Sequence, residues 1–393
     1  MKKNNEFSEL DVWRGIAIIF MIANHAGFVF LVDPEFRNVL ETATVFIGSF
    51  APVLFFFITG FGYGISSGRG RSSWSLCYKA SILILMDVLL RGGSVYAFGW
   101  DFLGFIALSM LMVNAISGAS RPVFICVTLM AAVLGLRFVI GPLFAQFPVV
   151  QENELVASLL GLSSFAGISY WLTPWLFYPL LGFVAGTYYK GYRESLTRVK
   201  SGTSLWLLTA GLVFLVAAWI MKLNDMVFFR WGTMSVAWFV LSIAVLLLSA
   251  MTAWLMSVQW PWGDWSRHLA QRGVGCLVIV PIHYAVIYYT GLVFTGFMTT
   301  LVFLAYLVAA TAISYLLARY FMKLSSVFAS AGHAGIIFTS VVFGIFVMVL
   351  AINVIPMNEA LRNVYIFGAE MLLCLLLPLK IDWHRKSALE RSC

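Results

Sequence analysis

Charge is scarce in this chain. Only 11% of its 393 residues are Asp, Glu, Lys or Arg, against 61% hydrophobic, and its mean hydropathy is +0.93, a balance no water-soluble domain could carry. Cysteine is scarcer still. Cys77, Cys126, Cys276, Cys374 and Cys393 are odd in number and far apart. They lack C-x-x-C or Cys/His spacing, so neither a disulfide framework nor a metal site is indicated. Low-complexity tracts, internal repeats and a soluble appendage are also missing, so residues 1–393 read as one bundle and one domain. No small-x-small cleavage site follows the first apolar run, which reads as an uncleaved helix. The net charge of +8 does not point to nucleic acid. Its basic residues lie in short clusters between apolar runs, as topology signals do.

What is present is a series of long apolar runs. They predict an all-α, polytopic membrane helix bundle rather than a barrel. About twelve candidate spans fall near 14–32, 43–66, 80–97, 101–118, 122–142, 171–189, 203–221, 230–257, 274–295, 298–318, 334–355 and 363–379. With the N-terminus cytoplasmic, the inner loops hold all of the 25 basic residues except Arg37, Arg91, Arg137, Lys222, Arg230 and Arg362. That bias predicts a multi-pass cell-membrane protein with both termini cytoplasmic and an even number of crossings.

The chain is organised around its first span, where Arg14 stands at the mouth and His25 well inside. Eleven residues at about 100° each bring the two side chains to within roughly 20° of one helix face. They are about 16 Å apart along the axis, which puts His25 near mid-membrane. An imidazole at that depth is costly unless it faces a protein interior or a wet cavity, so it is a site candidate. The plainer reading is a histidine bonded to a neighbouring helix and an arginine that anchors the cytoplasmic end. Asp11, three residues before Arg14, is placed to pair with it, and Asn24 adds a second deep polar group.

Further polar residues lie at membrane depth. Asp87 and Arg91 are spaced i, i+4 and read equally as a structural ion pair or as part of a site. Asp101 opens a span, as a helix N-terminal acid or as a functional one. Gly60, Gly62 and Gly64 allow a close helix crossing or the approach of a ligand. Pro174 and Pro179 are expected to kink or interrupt the sixth span. The loop near 143–170, with Gln151, Glu152 and Glu154, is a solvated cover or part of an acceptor entrance. The stretch Trp260 to His268 reads as an aromatic and basic interfacial anchor. His283 is a second histidine near membrane depth, while His333 sits at a span edge and His384 in the tail.

Leu10-Asp11, Arg14-Gly15-Ile16-Ala17 and the ten residues between Arg14 and His25 resemble the R-x10-H signature of the acyltransferase-3 family. Phe55-Phe56-Phe57-Ile58-Thr59-Gly60-Phe61 is similar to its aromatic Ser-Gly-Phe segment, with Thr59 for serine. Val280-Pro281-Ile282-His283-Tyr284 resembles its late Tyr-Leu-x-His segment without the Tyr-Leu. Asp11-Val12-Trp13-Arg14-Gly15, Met21, Asn24, Asp101 to Ile106, Pro174-Trp175 and Leu181-Gly182 with Gly186 look more like the heparan-alpha-glucosaminide N-acetyltransferase type. Both belong to one transmembrane acyltransferase superfamily, and the resemblance covers roughly residues 8–295. Against the usual ten-helix core the last two spans are extra, giving about 10–12 transmembrane helices. A histidine that the lysosomal-type enzymes use outside the first span has no counterpart that can be placed here.

The resemblance implies an O- or N-acetyltransferase. Cytoplasmic acetyl-CoA would act as donor and co-substrate, and a hydroxyl or amine of a cell-envelope glycan or glycolipid as acceptor. His25 is then the expected base, with Asp11 beside it in the catalytic set. Arg14 is the expected CoA-phosphate ligand, and Asn24, Asp87, Arg91, Asp101 and His283 would contact substrate or support the site. A polytopic secondary transporter is the alternative, since intramembrane Asp, Arg and His also fit that class. The loop Gly64 to Arg71 resembles the Gly/Arg-rich loop of major-facilitator carriers but lacks its aspartate.

Overall fold

The computed structural model describes residues 8–31, 38–67, 73–91, 100–162, 169–224, 234–260, 274–294, 299–330, 339–348 without 346, and 358–377. The expectations for the 261–268 part of the aromatic loop, for His333 and for His384 lie outside the described residues.

The described chain is an all-α polytopic membrane bundle. Its long helices are Ser8–Phe30 (α1), Val39–Gly48 (α2), Ala51–Ser66 (α3), Ser73–Leu90 (α4), Phe102–Ser117 (α5) and Pro122–Gly135 (α6). They continue with Phe177–Arg198 (α7), Lys200–Leu223 (α8), Val236–Trp254 (α9), Ile279–Val293 (α10), Thr300–Ser330 (α11) and Glu359–Leu376 (α12). Among the described residues, seven stretches are long and apolar enough to cross a bilayer. They are Ser8–Phe30, Val39–Ser66, Pro122–Phe144, Lys200–Leu223, Val236–Gln259, Cys276–Val293 and Thr300–Val327.

Local sequence explains where these helices start. Asn38 caps α2 by accepting from the Glu41 amide, and Glu41 reaches back to the Asn38 amide, so two orphan donors are satisfied together. Pro52 and Pro122 sit in the first turns of α3 and α6, where a missing N–H costs nothing. Ser235 and Asn358 cap α9 and α12.

Several spans differ from expectation: 43–66 is divided into α2 and α3, and α11 runs past 318 to Ser330. α4 runs over Ser73–Leu90, not 80–97, so Asp87 and Arg91 lie at its far end, just before Gly92-Gly93 in the sequence. The sixth span is two pieces. Pro174 belongs to a separate turn, Leu172–Trp175, with Thr173 non-helical, while Pro179 is taken up in the first turn of α7. α7 then continues nine residues beyond the expected end, past Lys190 to Arg198, because Arg193 finds a carboxylate there.

The bundle's tightest seam is α3 on α7, built on two Gly-x-x-x-Gly pairs. A Cβ on Gly60 would come within 1.8 Å of the Pro179 carbonyl oxygen, and one on Gly64 within 2.3 Å of that of Phe183. On the other side, a Cβ on Gly182 would come within 2.0 Å of the Phe57 carbonyl oxygen and one on Gly186 within 2.3 Å of that of Phe61. Only glycine lets the two backbones touch along this line. Beside it, Phe56 packs against Phe102, Phe105, Tyr170 and Trp175, and Trp238 closes the cluster over Trp175 and Phe50.

α1 is held at both ends. Near its start, Arg193 makes a two-point contact with Glu9 (Nε to Oε1 2.9 Å, Nη2 to Oε2 3.3 Å), and Tyr189 donates to Oε1 at 2.5 Å. Trp13 donates to Ser249 of α9 at 2.9 Å, and Tyr315 of α11 to the Gly15 carbonyl at 3.2 Å. These bonds gather the start of α1, the ends of α7 and α9 and the middle of α11 on one side of the bundle.

Candidate active site

Deep in α1, His25 meets residues from the other end of the chain. Its Nδ1 is 2.7 Å from Nε2 of His283, and its Nε2 is 3.1 Å from the Tyr284 hydroxyl. The rings also stack, with centroids 5.0 Å apart for the histidine pair and 4.5 Å for His25 and Tyr284. His283 is fully buried, whereas His25 and Tyr284 are each only partly covered. The less covered side of the cluster is therefore that of His25 and Tyr284.

The backbone fixes the protons. Nδ1 of His283 lies 3.0 Å from the Ile279 carbonyl oxygen one turn earlier, and a carbonyl can only accept. With both rings neutral, Nδ1 of His283 carries the hydrogen and its Nε2 has a lone pair. His25 then donates from Nδ1, which leaves its Nε2 as the acceptor, filled here by the Tyr284 hydroxyl. Nε2 of His25 is thus the accepting nitrogen of the chain, and in this structure the Tyr284 hydroxyl occupies it.

Arg14 and Asp11 form the expected salt bridge. Both side chains keep some exposure, at 14% and 21%. Gly62 of α3 is where Arg14 has room, since a Cβ there would rest 3.6 Å from Nη2. Gly62 thus differs from Gly60 and Gly64, which serve packing. Asp11 keeps company with Arg14 rather than with His25.

Asn24 turns away from the histidines and donates to the Val45 carbonyl of α2 at 3.1 Å, where Gly48 lets the two helices close on each other. It supports His25 by fixing α1 against α2.

Asp87 accepts the Asp101 amide at 2.8 Å and reaches those of Leu103 and Gly104. It thereby caps α5 from outside, with Arg91 Nε 3.4 Å away. Gly104 makes this possible, because a Cβ there would lie 2.8 Å from the Asp87 carboxylate. Asp101 offers α5 no side-chain cap of its own and lies near Ser169 instead. Around it Trp100 donates to the Tyr170 carbonyl at 2.6 Å. The loop expected near 143–170 contributes the short helices Pro148–Glu152 and Glu154–Leu159, with Glu152 and Glu154 exposed.

Reading the residues in order found His25 and His283 but not their contact, since 258 positions separate them. Tyr284 stood next to His283 without being singled out. The Glu9, Tyr189 and Arg193 clasp was also missed, although Glu9 is a carboxylate two residues before Asp11 at the start of α1.

Helices long and apolar enough to cross the bilayer thus bring two imidazoles and a phenol together, with Arg14 on the same helix as His25. The chain belongs to the heparan-alpha-glucosaminide N-acetyltransferase catalytic family, which residues 7–215 match, and this is a family of membrane acetyltransferases. Asp11, Arg14, Asn24, His25, Asp87, Arg91 and Asp101 fall inside the matching stretch, and His283 and Tyr284 beyond it. No curated protein and no solved structure matches the chain.

Proposed function

We propose that this protein transfers an acyl group, acetyl in the first instance, from cytoplasmic acetyl-CoA to a hydroxyl or amine of a cell-envelope glycan or glycolipid. The observation that carries the reading is the 2.7 Å contact of His25 with His283 and the 3.1 Å contact with Tyr284. It fixes Nε2 of His25 as the accepting nitrogen, held by a Tyr284 hydroxyl that an acceptor's hydroxyl or amine would displace. As the acceptor attacks the thioester carbonyl, His25 Nε2 takes its proton and His283 steadies the charge that forms. The reading places the protein in the cell membrane as a single 1–393 domain with both termini cytoplasmic, so that Arg14 faces the donor.

The residues present suit acyl-CoA. The planar guanidinium fork of Arg14 matches a phosphate at two points, and Gly62 leaves space beside it. Arg14 and His25 lie about 16 Å apart along α1, a gap suited to an extended pantetheine arm. Asp101 and the ring cluster of Trp100 and Tyr170 at the opposite end of the bundle suit an acceptor's hydroxyls. The test is mass spectrometry of cell-envelope glycans and glycolipids with and without the gene. The reading expects an acyl mass to vanish from one component, and an unchanged acyl profile would refute it.

A further inference from the structure

The turn between α7 and α8 projects past the end of α3. Lys190 of α7 donates to the carbonyl of Ser67, just beyond α3, at 2.8 Å. α7 then runs eight residues further, about 12 Å, to Arg198. Val199 leaves the helical conformation and α8 returns from Lys200. Side chains steady this hairpin. Trp254 of α9 donates to the Lys200 carbonyl at 3.2 Å, Ser204 to the Gln259 side chain at 2.8 Å, and Arg193 holds Glu9. Glu9 and Arg14 are five residues and so about 140° apart on α1, which places the hairpin on a different side of α1 from Arg14.

The surface of the hairpin has two zones. Tyr192 on α7 and Trp206 on α8 are exposed, at 61% and 64%, and each lies seven residues, about 10 Å, from Val199. Beyond Trp206, away from the turn, α8 exposes Leu212, Val213, Val216 and Ile220, on a helix apolar enough to span a bilayer. Exposed Tyr and Trp at one level below such a surface mark the boundary between hydrocarbon and headgroups. Toward the turn come Arg198 and Lys200, both exposed and, among the described residues, without a carboxylate partner. Between Thr187 and Trp206, Glu194 is the one acid against the four cations Lys190, Arg193, Arg198 and Lys200. A headgroup layer is about 5–8 Å deep on each side of a bilayer, so the long side chains at the turn reach back to its phosphates while their charges stay in water.

We propose that the α7–α8 hairpin binds anionic lipid, with Arg198 and Lys200 as ligands of the headgroup phosphate and Tyr192 and Trp206 against its glycerol and upper chains. The aromatic pair selects a lipid over free phosphate, which offers nothing for Tyr192 and Trp206 to cover. The site stands apart from Arg14 and His25, and it does not depend on the acyl-transfer reading.

The test titrates purified full-length protein in detergent with phosphatidylglycerol or phosphatidylcholine and counts bound lipid by native mass spectrometry. Wild type is compared with the double variant Arg198→Gln, Lys200→Gln. A second double variant, Arg121→Gln, Lys323→Gln, removes two cations exposed elsewhere and controls for charge alone. Wild type should retain phosphatidylglycerol in preference to phosphatidylcholine. The hairpin variant should bind phosphatidylglycerol about fivefold more weakly for each cation removed, and the control should bind it as wild type does. Equal retention of the two lipids by wild type would overturn the site, as would equal losses in the two double variants, the result expected of cations that only mark one side of the membrane. Displacement of phosphatidylglycerol by inorganic phosphate would overturn the lipid assignment. If the hairpin variant does not fold, Lys200→Gln alone decides, with a loss of about fivefold expected and wild-type affinity counting against the proposal.

Discussion

Nδ1 of His25 lies 2.7 Å from Nε2 of His283, so the ring of one histidine sets the tautomer of the other. His283→Ala should leave insertion and folding near normal, yet lower acyl transfer by about a hundredfold or more, because Nε2 of His25 is no longer fixed as the acceptor. Turnover of the variant in membranes checks this. Wild-type turnover would remove His283 from the site.

Tyr284→Phe keeps a ring stacked on His25 but removes the hydroxyl 3.1 Å from Nε2. The KM for acetyl-CoA should hold while kcat falls, since the hydroxyl orients Nε2 of His25 and does not grip the donor. A rise in KM at constant kcat would instead make Tyr284 a binding residue.

Arg14→Lys separates two roles. If the planar guanidinium holds a CoA phosphate at two points, lysine keeps the charge but weakens donor affinity. If Arg14 only marks the cytoplasmic side, lysine serves equally well. Titration of acetyl-CoA against wild type, Arg14→Lys and Asp11→Asn tells them apart. The expected outcome is a higher KM in Arg14→Lys and a smaller rise in Asp11→Asn.

Gly60→Ala should destabilise the protein by about 1–3 kcal/mol, because the new methyl meets the Pro179 backbone at 1.8 Å. Gly62→Ala, with 3.6 Å to Arg14, should unfold at nearly the wild-type temperature. Thermal unfolding in detergent compares them. Equal losses would contradict the division of the glycines into packing and open positions.

The helical architecture was legible because burial in lipid leaves a plain record: apolar runs of span length, broken by polar loops. Boundaries were less so. α4 begins seven residues earlier than its apolar core suggests, and α7 continues into polar sequence because Glu9 receives Arg193. In the site, Arg14 with Asp11 followed from spacing on one helix. The meeting of His25 with His283 and Tyr284 joins α1 to α10, and no local period encodes it. Asp87 was ambiguous for a related reason: its partners are the amides of α5, which a linear reading cannot place within its reach.

The central claim is that His25 is the base in acyl transfer, and its most direct measurement is label transfer from radioactive acetyl-CoA to envelope acceptor by membranes carrying wild type or His25→Ala at matched expression. The account predicts incorporation with wild type and its loss, by about a hundredfold or more, with His25→Ala. Incorporation by His25→Ala at the wild-type rate would contradict it.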